Sequence, residues 1–267
     1  MISQKEVFAE AQRAGVGERV IEKDYVLSWV LVAIAESGLK NEVVFKGGTA
    51  LKKVYFPEYR FSEDLGFTLV GTVSHDDLVV SIEGLLPSLL SRVNLRVELA
   101  TADLSAFDST TAQVNYVGPL EARMGSRTLK MDFTRGELLV NPPRTAELKT
   151  PYSDYPSDVG IATYTKREIL VEKLCALMGR TEARDLYDAW WLLESRTLDP
   201  VDLSHDFVVK AEHKGHDPAE LEAALSSKES RFASQWQTRL SQQVTDLPHF
   251  DEVMRAVRRC VRQLQFE

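Results

Sequence analysis

The chain has 267 residues, 44% of them hydrophobic and 27% charged, the composition of an ordinary globular protein with room for a large core and two domains. The opening Met1-Ile2-Ser3-Gln4-Lys5-Glu6 lacks the apolar stretch of a secretory signal, no apolar run approaches membrane-spanning length, and Cys175 and Cys260 are the only cysteines; export, a membrane protein, a disulfide scaffold and a cysteine metal cage are all disfavoured, and a cytoplasmic protein is expected. The formal net charge of −8 argues against a surface that binds nucleic acid everywhere.

The first strong periodicity runs from about Glu18 to Glu36, where Ile21, Tyr25, Trp29 and Val32 or Ala33 make the packing stripe of an amphipathic helix. Next comes the apolar run Val43-Val44-Phe45, a short buried strand that turns at Gly47-Gly48 into a helix-like Thr49-Ala50-Leu51-Lys52-Lys53-Val54-Tyr55. Glycines let backbone N–H groups approach an anion, and the orphan donors and positive end of a helix favour phosphate oxygens. Lys46 adds charge beside them. Taken alone, Gly-Gly before a helix is usually a tight turn, and the Gly-Lys-Ser/Thr ending of a P-loop is absent.

After Arg60-Phe61-Ser62-Glu63, the run Asp64-Leu65-Gly66-Phe67-Thr68-Leu69-Val70 fits a strand beside the first, with positions 64 and 66 on one face. Two carboxylates at that spacing would hold divalent cations against a triphosphate, yet position 66 is glycine. Ser74 caps a helix continuing through Leu90, with His75 a neighbour of the cap rather than a metal ligand. Residues 93–101, 111–118 and 127–134 read as strands. In the last, Lys130 and Asp132 share a face opposite Leu129, Met131 and Phe133, so Asp132 is either a third carboxylate for the site or a solvated charge on an edge strand.

Asn141-Pro142-Pro143 and Pro151 to Ser157 make residues 140–164 a turn-rich passage and the best domain boundary. Beyond it the pattern is nearly all helical. Thr165 with Glu168 resembles a helix cap, and Ile169, Leu170, Leu174, Leu177 and Met178 recur at helical spacing, with Lys173 outside their stripe. In a second helix from Arg184 to Leu193, Asp185 and Asp188 stand one turn apart; they either meet Lys173 in a functional group or form a buried ion-pair network joining two helices. His205, His213 and His216 are too loosely spaced for a zinc site and read as solvent-facing loop histidines. From Lys228 to Arg262, seven Lys or Arg residues stand against four Asp or Glu, with Trp236 and His249 nearby. That face is either an RNA-phosphate track or a charged helix with an aromatic anchor in the core.

Four ordered motifs carry a family resemblance: Lys46-Gly-Gly-Thr-Ala-Leu-x-Lys-x-Tyr, Arg60-x-Ser62-x-Asp64-Leu, Leu-Lys130-x-Asp132, and Glu168-x4-Lys173 continuing to Arg180 and Arg184-Asp185-x-Tyr187-Asp188. Over about half the chain the sequence resembles the AbiEii/AbiGii toxin family of nucleotidyltransferases, relatives of the mycobacterial MenT-type toxins. The resemblance implies an α+β, polymerase-beta-like nucleotidyltransferase domain with a mixed sheet (residues 1–150) and a C-terminal α-helical domain (151–267) completing the nucleotide cleft. It further implies a toxin role in a toxin–antitoxin or phage-defence pair, with a cognate antitoxin as partner and, in some members, addition of nucleotides to the 3′ end of tRNA. Residue by residue, it assigns Gly47, Gly48 and Thr49 to triphosphate binding with Lys46, Arg60 and Ser62 beside the phosphates. Asp64 and Asp132 become ligands of Mg2+ or Mn2+, and Lys173, Arg184 and Asp185 go to nucleotide binding and activity.

Gly66 departs from the Asp-x-Asp that the family ordinarily shows, and glycine offers no side-chain oxygen. Either a deliberate substitution has inactivated a toxic protein or the natural chain has altered its catalysis; the intact surroundings favour the first. The expected reaction is transfer of NMP from an NTP to an RNA 3′-hydroxyl, tRNA or another RNA. Its rivals are a catalytically impaired nucleotide-binding or protein-interaction module and transfer to protein hydroxyls.

Overall fold

The computed structural model describes residues 1–105, 109–195 and 198–265. They divide into two units, Met1–Glu137 with Pro143–Thr163, and Leu138–Pro142 with Tyr164–Glu267.

In the first unit, helices α1 (Gln4–Ala14) and α2 (Glu18–Ala35) precede strand β1 (Val43–Lys46), the short helix α3 (Gly47–Ala50), which continues as one π turn over Leu51–Tyr55, and β2 (Asp64–Leu69). Helix α4 (His75–Val93), β3 (Arg96–Leu104), β4 (Thr110–Val117), β5 (Thr128–Thr134), β6 (Arg144–Glu147) and β7 (Gly160–Thr163) follow. The strands form one mixed sheet in the order β3-β4-β5-β2-β1-β7-β6. β2 runs antiparallel to β1 and parallel to β5. Because β6 and β7 extend this sheet, the first unit reaches past residue 150 to Thr163.

Three aromatics set the register. Phe45 pairs with Phe67 and Phe67 with Phe133; their rings lie 5.5 and 5.1 Å apart, and all three side chains are fully buried. A shift of one residue would turn every side chain of a strand to the opposite face, so burying this row commits the alternate residues to the other side.

α2 differs from the expected amphipathic helix: every residue from Asp24 to Ala35 is buried, as its nearly unbroken apolar run after Tyr25 requires. Its two buried acids are matched. The Glu22 carboxylate accepts the Leu120 N–H (2.8 Å) and stands 3.4 Å from the Arg127 guanidinium, anchoring the β4–β5 connection. Asp24 pairs with Lys53 at 2.6 Å, both 2% exposed, and accepts the Tyr152 hydroxyl at 2.7 Å. Lys53 belongs to the turn after the paired glycines, so this ion pair ties that turn to α2. The neighbouring Lys52 donates to the Pro57 and Tyr59 carbonyls at 3.0 and 2.8 Å and lies 3.9 Å from the Phe61 ring centroid. Burial lowers its ammonium to about 8, against the opposing pull of Asp24.

The second unit contains α5 (Lys166–Gly179), α6 (Ala183–Glu194), α7 (Pro200–His213), α8 (Leu221–Leu240) and α9 (Phe250–Val261). Thr165 caps α5 by accepting the Glu168 N–H. The Glu168 side chain, fully buried, binds the equally buried Lys210 ammonium and accepts the Asn141 N–H at 2.8 Å, which draws the 138–142 segment into this unit. One reading is corrected. His205 and His213 lie on α7, whose Asp199 cap, first-turn Pro200 and buried Leu203, Phe207 and Ala211 make it a helix rather than a loop. The C-terminal basic face is partly engaged, with Arg258 on Glu229 and Arg262 on Glu222, while Trp236 is a buried anchor donating to the Pro248 carbonyl and packing on Phe250.

Asp24→Ala leaves Lys53 an uncompensated buried charge and is expected to cost about 3–5 kcal/mol in denaturant unfolding, whereas the paired change Asp24→Leu with Lys53→Met should cost clearly less; equal losses would refute the coupling. For Lys52, a folded pKa below the unfolded one means the unfolded chain binds more protons between about pH 8 and roughly 10.4. Stability of the wild-type chain relative to Lys52→Met should therefore rise across that window. A flat difference would show that Lys52 is not perturbed.

Candidate active site

Directly opposite the phenylalanine row, the same three strands and β4 carry a polar row. Lys46 of β1 pairs with Gly66 of β2, Gly66 with Asp132 of β5, and Asp132 with Thr111 of β4. Two residues along, Asp64 stands beside Lys130, which stands beside Gln113. A two-residue step keeps both rows on one face, so Asp64 and Asp132 share that face on adjacent strands although they lie far apart in sequence. β5 is interior to the sheet, which removes the edge-strand reading of Asp132.

Asp132 is about one-third exposed. Its Oδ1 accepts the Thr111 hydroxyl at 2.7 Å and its Oδ2 meets the Lys130 ammonium at 2.7 Å. The buried Lys46 reaches the Thr134 hydroxyl at 2.6 Å and Glu137 at 3.5 Å. At the glycine turn, Gly47 has φ +83°, a region that side chains disfavour; it is the bend from strand to helix that calls for glycine here. The Thr49 side chain is buried and donates to the Asp64 carbonyl at 2.5 Å, so its hydroxyl joins the turn to the carboxylate strand, while the first-turn N–H groups have no acceptor one turn earlier in the helix. Arg60 is buried, donating to the Phe61 carbonyl at 3.1 Å beside the Tyr59 ring, and Ser62 is half-buried between it and Asp64.

Gly66 is different. A Cβ built there would meet only the Lys46 side chain and carbonyl at 3.5 Å, ordinary contact, and its backbone is not in the left-handed region. Neither space nor conformation requires glycine in this strand.

A cation of the Mg2+ type takes one or two carboxylates, with substrate phosphates and water completing its shell. Asp64 and Asp132, on adjacent strands and one face, are the side chains that would supply such a donor set, to which Gly66 adds nothing. Among the described residues no group of three or more His, Cys, Asp and Glu side chains gathers around one point.

The later-motif residues lie in the second unit. Lys173 is buried on α5 and pairs with Asp185 and Asp188 of α6, each at 2.7 Å, and Arg180 joins Asp185 at 2.7 Å. Burial alone would raise the Asp185 carboxyl; the Lys173 ammonium and Arg180 guanidinium overcome it and hold it below the usual range. The two carboxylates thus meet Lys173 across the α5–α6 pair in a buried ion-pair network, the contact common to both readings of the sequence. Arg184 is half-buried beside it. Sequence reasoning missed Thr111, Asp24 and Lys53 as positioning groups; Lys53 stood within the first motif, but nothing local marked its partner.

The sheet, the glycine bend and the two acidic strands are those of a nucleotidyltransferase-like fold. The nucleotidyl transferase AbiEii toxin family, type IV TA system, matches residues 29–256, and the chain belongs to that family. Among solved structures it is similar to MenT4, a nucleotidyltransferase toxin from Mycobacterium tuberculosis H37Rv, at TM-score 0.72 and 18% identity over 99% of this chain and 90% of that one. It is also similar to JHP933 from Helicobacter pylori, at TM-score 0.59 and 17% identity over 93% of each chain, and to a nucleotidyltransferase from H. pylori at TM-score 0.55 and 19% identity, covering 93% of this chain and 96% of that one. No curated protein matches the sequence. No helix among the described residues is long and apolar enough to cross a membrane.

The two glycines make opposite predictions. Gly47→Ala should cost about 1–2 kcal/mol in unfolding because the bend forces a side chain into the left-handed region, whereas Gly66→Ala should stay within about 1 kcal/mol of the wild-type chain. Similar losses at both positions would overturn the conformational distinction.

Proposed function

We propose that the chain is a toxin-type nucleotidyltransferase whose acceptor is an RNA 3′-hydroxyl, tRNA by family resemblance, and whose donor is an NTP. The observation that carries this reading is the polar row in which Asp132 stands next to position 66 and one step from Asp64, beside the glycine bend. The acceptor oxygen forms a bond to the α-phosphorus, the bond from that phosphorus to the bridging oxygen breaks, and pyrophosphate leaves. When bound, Mg2+ or Mn2+ would offset charge on the phosphates and lower the barrier to attack. The chain's own contributions are separable. Gly47, Gly48 and the Thr49 N–H offer donors to phosphate oxygens, Lys46, Arg60 and Ser62 flank them, Asp64 and Asp132 hold the cation, and Asp132 is the candidate to receive the acceptor proton. Lys173, Arg184 and Asp185 are assigned to nucleotide binding through the family pattern alone. A cognate antitoxin and a cytoplasmic setting follow from the same family.

Gly66 itself favours a second reading, an impaired nucleotide-binding module that retains NTP affinity and lacks turnover. One experiment separates them. Wild-type and Gly66→Asp chains are incubated with each labelled NTP, Mg2+ and either total RNA or total protein, and the labelled product is resolved. Restoring the carboxylate is expected to raise RNA labelling by roughly a hundredfold. Labelled protein would redirect the acceptor to protein hydroxyls; binding without labelled product in both chains would leave the impaired module as the function.

A further inference from the structure

Lys130 has no role in that reading, yet it stands on the polar face between Asp64 and Gln113. Its backbone is the lateral neighbour of Asp64 on β2, and its side chain turns along β5 to place Nζ 2.7 Å from Asp132 Oδ2. The ammonium is therefore bound to one of the two carboxylates proposed to share a cation, from a position beside the other. Thr111 holds Oδ1 of the same carboxylate. A hydroxyl can keep its hydrogen bond while a cation approaches, because each carboxylate oxygen has more than one acceptor direction. A unit positive charge against Oδ2 repels a dication.

We infer, resting on the proposal that Asp64 and Asp132 bind a divalent cation, that Lys130 is a built-in counter-ion that must leave Asp132 before the cation settles, and so sets the metal affinity of this face. The pair is accessible, with Lys130 44% and Asp132 34% exposed, which makes it weak and readily displaced; Lys130 tunes loading rather than blocking it. Gly66 sharpens the effect. With no carboxylate at the position beside Asp132, the cation has fewer ligands with which to outcompete the ammonium, so loading by this sequence depends more on Lys130 than it would after Gly66→Asp.

The test titrates Mn2+ into the full chain and follows free Mn2+ by electron paramagnetic resonance, without nucleotide, for the wild type, Lys130→Gln, Lys130→Arg, Gly66→Asp, Gly66→Asp with Lys130→Gln, and Asp132→Asn, each checked for folding by circular dichroism. Lys130→Gln is expected to tighten Mn2+ binding by about fivefold to tenfold at low salt, with the gain shrinking as ionic strength rises. Lys130→Arg should bind like the wild type, and the gain should be smaller in the Gly66→Asp background. Unchanged or weaker binding by Lys130→Gln, in a chain whose binding is abolished by Asp132→Asn, would overturn this inference and leave the metal site standing. Mn2+ affinity that Asp132→Asn does not alter would instead remove the metal assignment in the proposed function, and the inference with it.

Discussion

The arrangement rests on the packing of the Phe45, Phe67 and Phe133 rings across β1, β2 and β5. The hydrogen bonds of a strand pair do not distinguish one register from another, but a fully buried ring does, because moving it by one residue turns it to the polar face and takes it out of its apolar packing. Each phenylalanine is the sequence neighbour of a residue on the polar face: Phe45 precedes Lys46, Phe67 follows Gly66 and Phe133 follows Asp132. The alternation of a strand converts the packing of the buried row into the placement of the other row. The polar face is thus held from behind, by rings buried on the other side of the sheet.

The bend needs a separate constraint, since a glycine in the left-handed region allows a direction without enforcing it. Thr49 fastens one side to the Asp64 carbonyl, and Lys53 fastens the other to Asp24 in the buried helix α2. Buried ion pairs stabilise little in net terms because desolvation offsets much of the attraction. Their geometric demand is strong, however: Lys53 and Asp24 are each 2% exposed, and either one without the other would be a bare charge in an apolar core. In the second unit Lys210 with Glu168 and Lys173 with Asp185 and Asp188 impose the same kind of demand on α5, α6 and α7. Both units position helices with matched buried charge.

What the sequence made legible was local. The glycine bend, the Asp64 strand, the Asp132 strand and the Thr165 cap each announce themselves within about ten residues through turn chemistry and alternation. α1 carried a comparable signal, Ser3 followed by Glu6, with the Ser3 side chain accepting the Glu6 N–H; the absence of a strong apolar period after it concealed the helix. β6 and β7 were hidden for another reason. Four-residue strands have no period to read, and these join the sheet through the parallel pairing of β7 with β1. The pairings of Asp24 with Lys53 and Thr111 with Asp132 span 29 and 21 residues, and long-range contacts of this kind are decided by topology, which single-residue patterns do not encode.

Gly66 is the place where local and global requirements part. A glycine inside a strand loses backbone entropy on folding and contributes no side-chain packing, and here the surrounding atoms leave ordinary room for a Cβ. Stability therefore gives no reason for it. Electrostatics gives a reason for what its presence does: Lys130 is engaged with Asp132, and Lys46 reaches Thr134 and Glu137, so the ammonium groups of this face already have partners. A carboxylate at position 66, flanked in register by Lys46 and Asp132, would add negative charge that these lysines could answer only by leaving their partners. A dication would answer it better, being more highly charged and able to bind several oxygens at once. With glycine at position 66 the face carries no such added charge, and Lys130 on Asp132 and Lys46 on Glu137 keep their partners.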